Sequence, residues 1–198
     1  MIGQRLDQVC GTVNNCAREL SDLGLLRAQL FANWADKEGI VSNLDLVFAT
    51  AKRRNFQTVE PTADLAGLEI ESYPEDATEL NPDGADSSVC PMVQAIKDAP
   101  MGSTILVTGN TGTLYPTMGD GNEDCDGLGV DTSDETLFPR DARGRVPGDR
   151  FGDVWAVEIN ENGVARFKDL TVLEFGLAGL PVRLAGEERL SNEKREKD

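Results

Sequence analysis

The chain has 198 residues, 39% of them apolar, and a formal net charge of −16 without a single histidine. That length and apolar content suit one large domain, or one domain with an insertion, around a buried core. The missing imidazole excludes a His-based triad, an imidazole general base and His-ligated zinc.

The charge is unevenly placed. Residues 1 to 54 carry 6 acidic and 7 basic residues, and residues 140 to 198 carry 12 and 11. The intervening 55 to 139 carry 17 acidic residues against the single Lys97. Such a stretch repels phosphate backbones, which argues against sequence-specific nucleic-acid binding.

The chain divides by composition into a helical unit (1–55), an acidic loop-rich segment with one buried strand (56–139), an antiparallel β region (140–186) and a polar tail (187–198). In the first, Leu6, Val9, Val13, Cys16, Leu20, Leu23, Arg27, Leu30 and Trp34 alternate at steps of three and four. That is a heptad seam, with room at Gly24 for a kink or a turn between two helices. The stretch SNLD, with Ser42 as cap and Asp45 three residues on, predicts another helix carrying Leu44, Val47, Phe48 and Ala51 on one face. Lys52, Arg53 and Arg54 would then close its last turn, where cations suit the carbonyl end.

TVEPT, SYPEDAT and NPDGADSS read as turns, which makes 55 to 88 a linker with little regular structure. CPMVQAIKD predicts a short helix with Met92, Val93 and Ile96 inward, and STILVTG a buried strand. The continuation ILVTGNTGTLYP begins like a dinucleotide-binding turn. Tyr115 stands at the third glycine position and Pro116 follows, which leaves a strand ending in a Gly-rich loop.

GDGNEDCDGLGVDTSDE, residues 119 to 135, crowds carboxylates, an Asn and a Cys between glycines. Asn122, Asp124 and Asp126 followed by Gly127 match the alternating oxygens and turn glycine of a calcium loop, and Asp131 could complete it. Ser133 stands where an EF-hand has its bidentate Glu, and breakers flank the loop instead of helices. A solvated acidic loop is the simpler expectation: no cofactor is expected, with bound calcium as the alternative. Asp120 and Asp126 form the nearest thing to an acid and base pair, though carboxyls among so many charges should both stay ionised.

In DVWAVEINENGVARFKDLTVLEF the loop length can be derived. A two-residue Asn162-Gly163 turn would set Val157 against Lys168. A three-residue loop, Glu161 to Gly163, pairs Val157 with Phe167 and Ile159 with Ala165 and calls for positive φ at Gly163. Thr171 to Phe175 continues as strand, and PVRLAG supplies another. Four cysteines without a CxxC pair, in a chain whose start MIGQRLDQVCG lacks the pattern of a signal peptide, are expected to be free thiols. No stretch approaches the roughly 18 apolar residues of a membrane span.

The fold class expected is α+β: an N-terminal helical hairpin or bundle, an acidic loop-rich middle and a C-terminal antiparallel sheet. With no complete catalytic motif, a helical seam and a polar tail, the sequence reads as a non-enzymatic structural subunit. It would be one copy in a homo-oligomeric assembly of the tailed-phage virion type, at the capsid or the head-to-tail connector, with an acidic surface that repels DNA. The alternatives are a calcium-dependent binding module and a carboxylate-based hydrolase. The expected place is the virion or the cytoplasm, with other protein subunits as partners and no membrane.

Overall fold

A computed structural model describes residues 18–73, 89–110, 112–147, 152–175 and 181–185. Among them lie two three-stranded sheets, one parallel and one antiparallel, with helices packed on the parallel one. This is a mixed helix and sheet chain, as α+β requires. The expected polar tail and the first half of the heptad seam lie outside the described residues.

Helix α1 spans Asp22–Lys37. Ser21 caps it by accepting a hydrogen bond from the Gly24 N–H at 3.2 Å, so Gly24 sits inside one helix instead of between two. The buried stripe is Ala28, Ala32 and Ala35, with Trp34 beside it, whereas Leu23 is 55% exposed. Seam spacing alone picked the larger side chains; the alanines win because a small face lets a second helix approach closely.

The run LVFAT is strand β1, Leu46–Thr50, and not the helix that a Ser42 cap suggested. Val47, Phe48, Ala49 and Thr50 are all buried, so both faces of the strand are covered. A strand in that position reads as a continuous apolar run, which period alone cannot tell from a short helix. Helix α2, Arg53–Ala66, and strand β2, Ile70–Tyr73, follow where a linker was expected. Pro61 lies inside α2, a position that costs a free helix roughly 3 kcal/mol. The burial of Val59 and Ala63 against Val47 and Ala49 outweighs it.

Helix α3, Val89–Asp98, lays Met92 and Ile96 on Phe48, as its apolar spacing predicted. Strand β3, Ile105–Thr108, then pairs in parallel with β1, while β2 pairs on the other side. β3 is half-buried along its length instead of fully covered. A short helix α4, Leu114–Met118, follows it despite Pro116, which falls in the first turn where a proline lacks no needed donor.

The second sheet has the derived hairpin register. β4, Asp153–Ile159, pairs with β5, Ala165–Phe175, through Val157 opposite Phe167 and Ile159 opposite Ala165, and Gly163 has φ 74°. Strand β6, Pro181–Ala185, completes it. Its aromatic face gathers Tyr115, Phe138, Trp155 and Phe167, with the Trp155 indole N–H donating to the Leu137 carbonyl at 2.9 Å. Ile159 also reaches the cluster around Phe48, so the two sheets share a core.

Candidate functional site

Parallel strands end side by side, and a site at their carboxyl edge is the general expectation for such sheets. Here Ala49 of β1 is paired with Thr108 of β3, so the chain leaves both strands at one place. From β1 it passes through Lys52 into α2; from β3 it passes through Gly109 and Asn110 into α4.

The two exits are joined by side chains. Arg54 donates through Nη2 to the Asn110 Oδ1 at 3.1 Å in a half-buried contact. Because a guanidinium only donates, that contact fixes which end of the Asn110 amide is oxygen. Asn55 donates from Nδ2 to the Thr50 Oγ1, a buried bond that ties the first turn of α2 to the end of β1. Thr113 is fully buried and donates its N–H to the Asn110 carbonyl at 2.9 Å. The carboxyl ends of β1 and β3 thus carry a small polar network instead of core.

The basic triplet has the opposite setting from the one its sequence suggested. Lys52 is the N-cap of α2, and Arg53 and Arg54 are its first two residues. Three cations therefore sit at the positive end of a helix dipole, a placement that costs roughly 0.3–1 kcal/mol for each exposed charge. No acidic residue stands in that first turn, and Lys52 makes no side-chain cap. Lys52 is moreover only 3% exposed. Arg53 is partly compensated by Glu19, whose carboxylate it meets at 2.6 Å on the surface. Cations crowded on a helix N-terminus break a local rule, and such breaks concentrate at functional or strained sites. Backbone N–H groups and cations together make an anion site.

The residues first suspected of binding a metal are placed otherwise. The Asn122 Oδ1 accepts hydrogen bonds from the N–H groups of Asp124 and Cys125, at 3.0 and 3.1 Å. Asp131 accepts from the Ser133 N–H at 3.0 Å, and hydrogen bonds from the Ser133 side chain and backbone hold its carboxyl below the usual range. Asp124, Asp126 and Asp131 are exposed. Among the described residues no group of three or more His, Cys, Asp or Glu side chains is placed to hold a metal ion. Asp120 and Asp126 are both exposed, without the desolvation that a carboxylate acid needs.

The loop is instead a knot of backbone. The N–H of Gly121 donates to Pro116, that of Leu128 to Thr117 and that of Gly129 to Gly119. A Cβ on Gly127 would lie 2.3 Å from the Gly119 carbonyl oxygen and 2.4 Å from that of Pro116. Cys125, in this loop, forms a disulfide with Cys90 at the start of α3, so those two are not the free thiols expected. The spacing of 35 residues carried no hint of it; only the fold brings their Cα atoms to 5.7 Å.

The fold is similar to that of a protein histidine phosphatase. The solved structure of the protein histidine phosphatase SixA complexed with tungstate superposes with a TM-score of 0.51 at 18% identity, covering 81% of this chain and 88% of that one. No family model matches the chain, and no curated protein does. The likeness overturns the expectation of a non-enzymatic virion subunit at a capsid or connector, because most of the chain takes the fold of an enzyme. An absent histidine and an acidic middle had suggested a protein without chemistry; neither feature bears on how the strands are ordered. Among the described residues, no helix is long and apolar enough to cross a membrane.

Proposed function

We propose that the chain is a phosphatase-class hydrolase that receives a phosphomonoester at the carboxyl edge of β1 and β3. The observation that carries the reading is the Arg54–Asn110 contact, which joins the basic start of α2 to the exit of β3. Arg54 presents a planar fork of donors suited to two oxygens of a phosphoryl group, and the N–H groups of the first turn of α2 add fixed dipoles. Lys52 adds a second cation at the same helix end. The similar phosphatase was solved with tungstate, a tetrahedral oxyanion of the same form as phosphate, which supports the same kind of ligand here.

These groups supply the electrophilic half of phosphoryl transfer: they hold the group in place and neutralise charge on its non-bridging oxygens. The 198 residues contain no histidine, so no imidazole among them accepts the phosphoryl group. In the reading proposed, water is the acceptor. Its oxygen bonds to phosphorus as the ester P–O bond breaks, and its proton ends on the departing alkoxide.

Thermal unfolding in the presence of sodium tungstate or inorganic phosphate tests the binding half, since a ligand of the folded state raises the melting temperature by mass action. The melting temperature of the wild type should rise and that of Arg54→Ala should not. Hydrolysis of p-nitrophenyl phosphate tests the other half, with Arg54→Ala reducing turnover by about a hundredfold, as for loss of a transition-state donor. An unchanged melt across the titration overturns the site. Binding without turnover overturns the hydrolase and leaves the anion site standing.

A further inference from the structure

We infer that the Cys90–Cys125 disulfide is a redox latch on the phosphoryl site, whose reduction lowers oxyanion affinity. The inference rests on the site reading above and adds its regulation. The 35-residue span between the two cysteines contains β3, Asn110 and α4, which is the entire second half of the site. One end of the latch is anchored on the core: Cys90 stands in the first turn of α3, whose Met92 and Ile96 pack on Phe48 of β1. The other end, Cys125, accepts the N–H of Asn122 on its carbonyl at 2.9 Å, inside the loop that bonds back to Pro116, Thr117 and Met118 of α4. Helix α4 in turn begins four residues after Asn110, and the Leu114 N–H donates to the Asn110 carbonyl at 3.2 Å. The covalent path therefore runs from α3 through the loop and α4 to the residue that meets Arg54.

What remains after reduction is weaker. Lys97 of α3 donates to the Gly127 carbonyl at 3.1 Å, the Cys90 sulfur lies 3.4 Å from the Asn122 Oδ1, and Leu128 packs beside Met92 and Ile96, so only non-covalent contacts join the same two parts. Cys90 and Cys125 are both half-buried, not sealed in the core, so a thiolate can approach the sulfurs. A dithiol reductant attacks one sulfur through a mixed disulfide and leaves as its own disulfide; two electrons and two protons pass to Cys90 and Cys125 as thiols. The loop between them then samples open states, and apparent affinity falls by the fraction of molecules in which Asn110 stays in place.

The test compares tungstate affinity, by calorimetric titration, for oxidised wild type, wild type treated with dithiothreitol, and Cys90→Ala/Cys125→Ala. If reduction leaves the Asn110 loop ordered in about one molecule in ten, affinity drops about tenfold. The double variant should bind as weakly as reduced wild type and ignore the reductant. Amide exchange over 109–130 should quicken on reduction, and reoxidation should restore both. Unchanged affinity after mass spectrometry has shown the bond open overturns the latch alone, as does a double variant that binds like oxidised wild type. Absence of tungstate binding by the oxidised protein overturns the phosphoryl site and, with it, the regulation.

Discussion

Arg54 and Asn110 stand 56 residues apart in the chain, and their side chains meet at 3.1 Å across the carboxyl edge of the parallel sheet. The contact couples the entrance of α2 to the exit of β3, and a negative charge can be introduced into it at constant size. Asn110→Asp places a carboxylate against the guanidinium, which satisfies Arg54 internally and repels an incoming anion. Tungstate affinity should fall by about tenfold or more, the loss of a charge-assisted contact of roughly 1.5–3 kcal/mol. The melting temperature without ligand should not fall. Retained affinity in a calorimetric titration would separate Asn110 from the site.

The closed loop between Cys90 and Cys125 also contributes to global stability. For a loop of 35 residues the chain-entropy relation gives about 4 kcal/mol. Cys90→Ala/Cys125→Ala should therefore lower the unfolding free energy by roughly 3–4 kcal/mol in urea titration. A loss below about 1 kcal/mol would mean that the loop is held by its hydrogen bonds instead.

Tyr73, at the end of β2, has its phenol pushed up to about 12 by burial and by the neighbouring Glu71 carboxylate. A folded-state value above the unfolded value of 10.0 contributes stability that is fully present below that value. It is lost as pH rises through the folded value. Between these limits wild type should lose stability faster than Tyr73→Phe, measured as urea midpoints at successive pH. Parallel curves would show that Tyr73 titrates alike in both states.

Phe48 is 2% exposed on β1, where it packs against Met92 and Ile96 and meets the Tyr73 ring edge-on at 5.4 Å. Phe48→Ala should cost about 3–5 kcal/mol, the range for a buried aromatic truncated in a tight core. A surface-like loss below about 1 kcal/mol would put this strand at the periphery.

Gly163 tests the hairpin. Its φ of 74° favours glycine, so Gly163→Val should destabilise the sheet by about 1 kcal/mol or more. Asn at that position, which tolerates the left-handed region, should cost less.

The hairpin was legible because opposing residues constrain one another: only one loop length sets Val157 against Phe167 instead of a lysine. Helix α3 was legible because Met92, Val93 and Ile96 share one face and nothing interrupts them. The site was not, and the reason is one misplaced boundary. Taken as the end of a helix, Lys52, Arg53 and Arg54 need no further explanation; taken as the start of one, they stand at the positive end of its dipole, against the usual rule. LVFAT offered the clue, since four consecutive buried residues suit a strand covered on both faces. Pro61 and the turn-like TVEPT hid α2, whose stability comes from packing on β1 that no local pattern reveals. The partner of Arg54 lay far beyond the reach of sequence periodicity.

Gly121 and Gly127 leave the loop after α4 no mutational neighbours. A side chain on Gly121 would begin 1.9 Å from the Cys125 carbonyl oxygen, and one on Gly127 would begin inside van der Waals contact of two carbonyls. Every single-base change that replaces glycine with another residue adds at least a Cβ, so neither position has a viable single step to any other residue. In a library saturated at each site and selected for folded protein, both should come through as glycine alone, while Gly39 and Gly144, with open space around them, admit asparagine. The acidic residues between the two glycines would vary freely by comparison, which makes the spacing of the glycines, and not the carboxylates, the feature by which this loop could be traced in other chains.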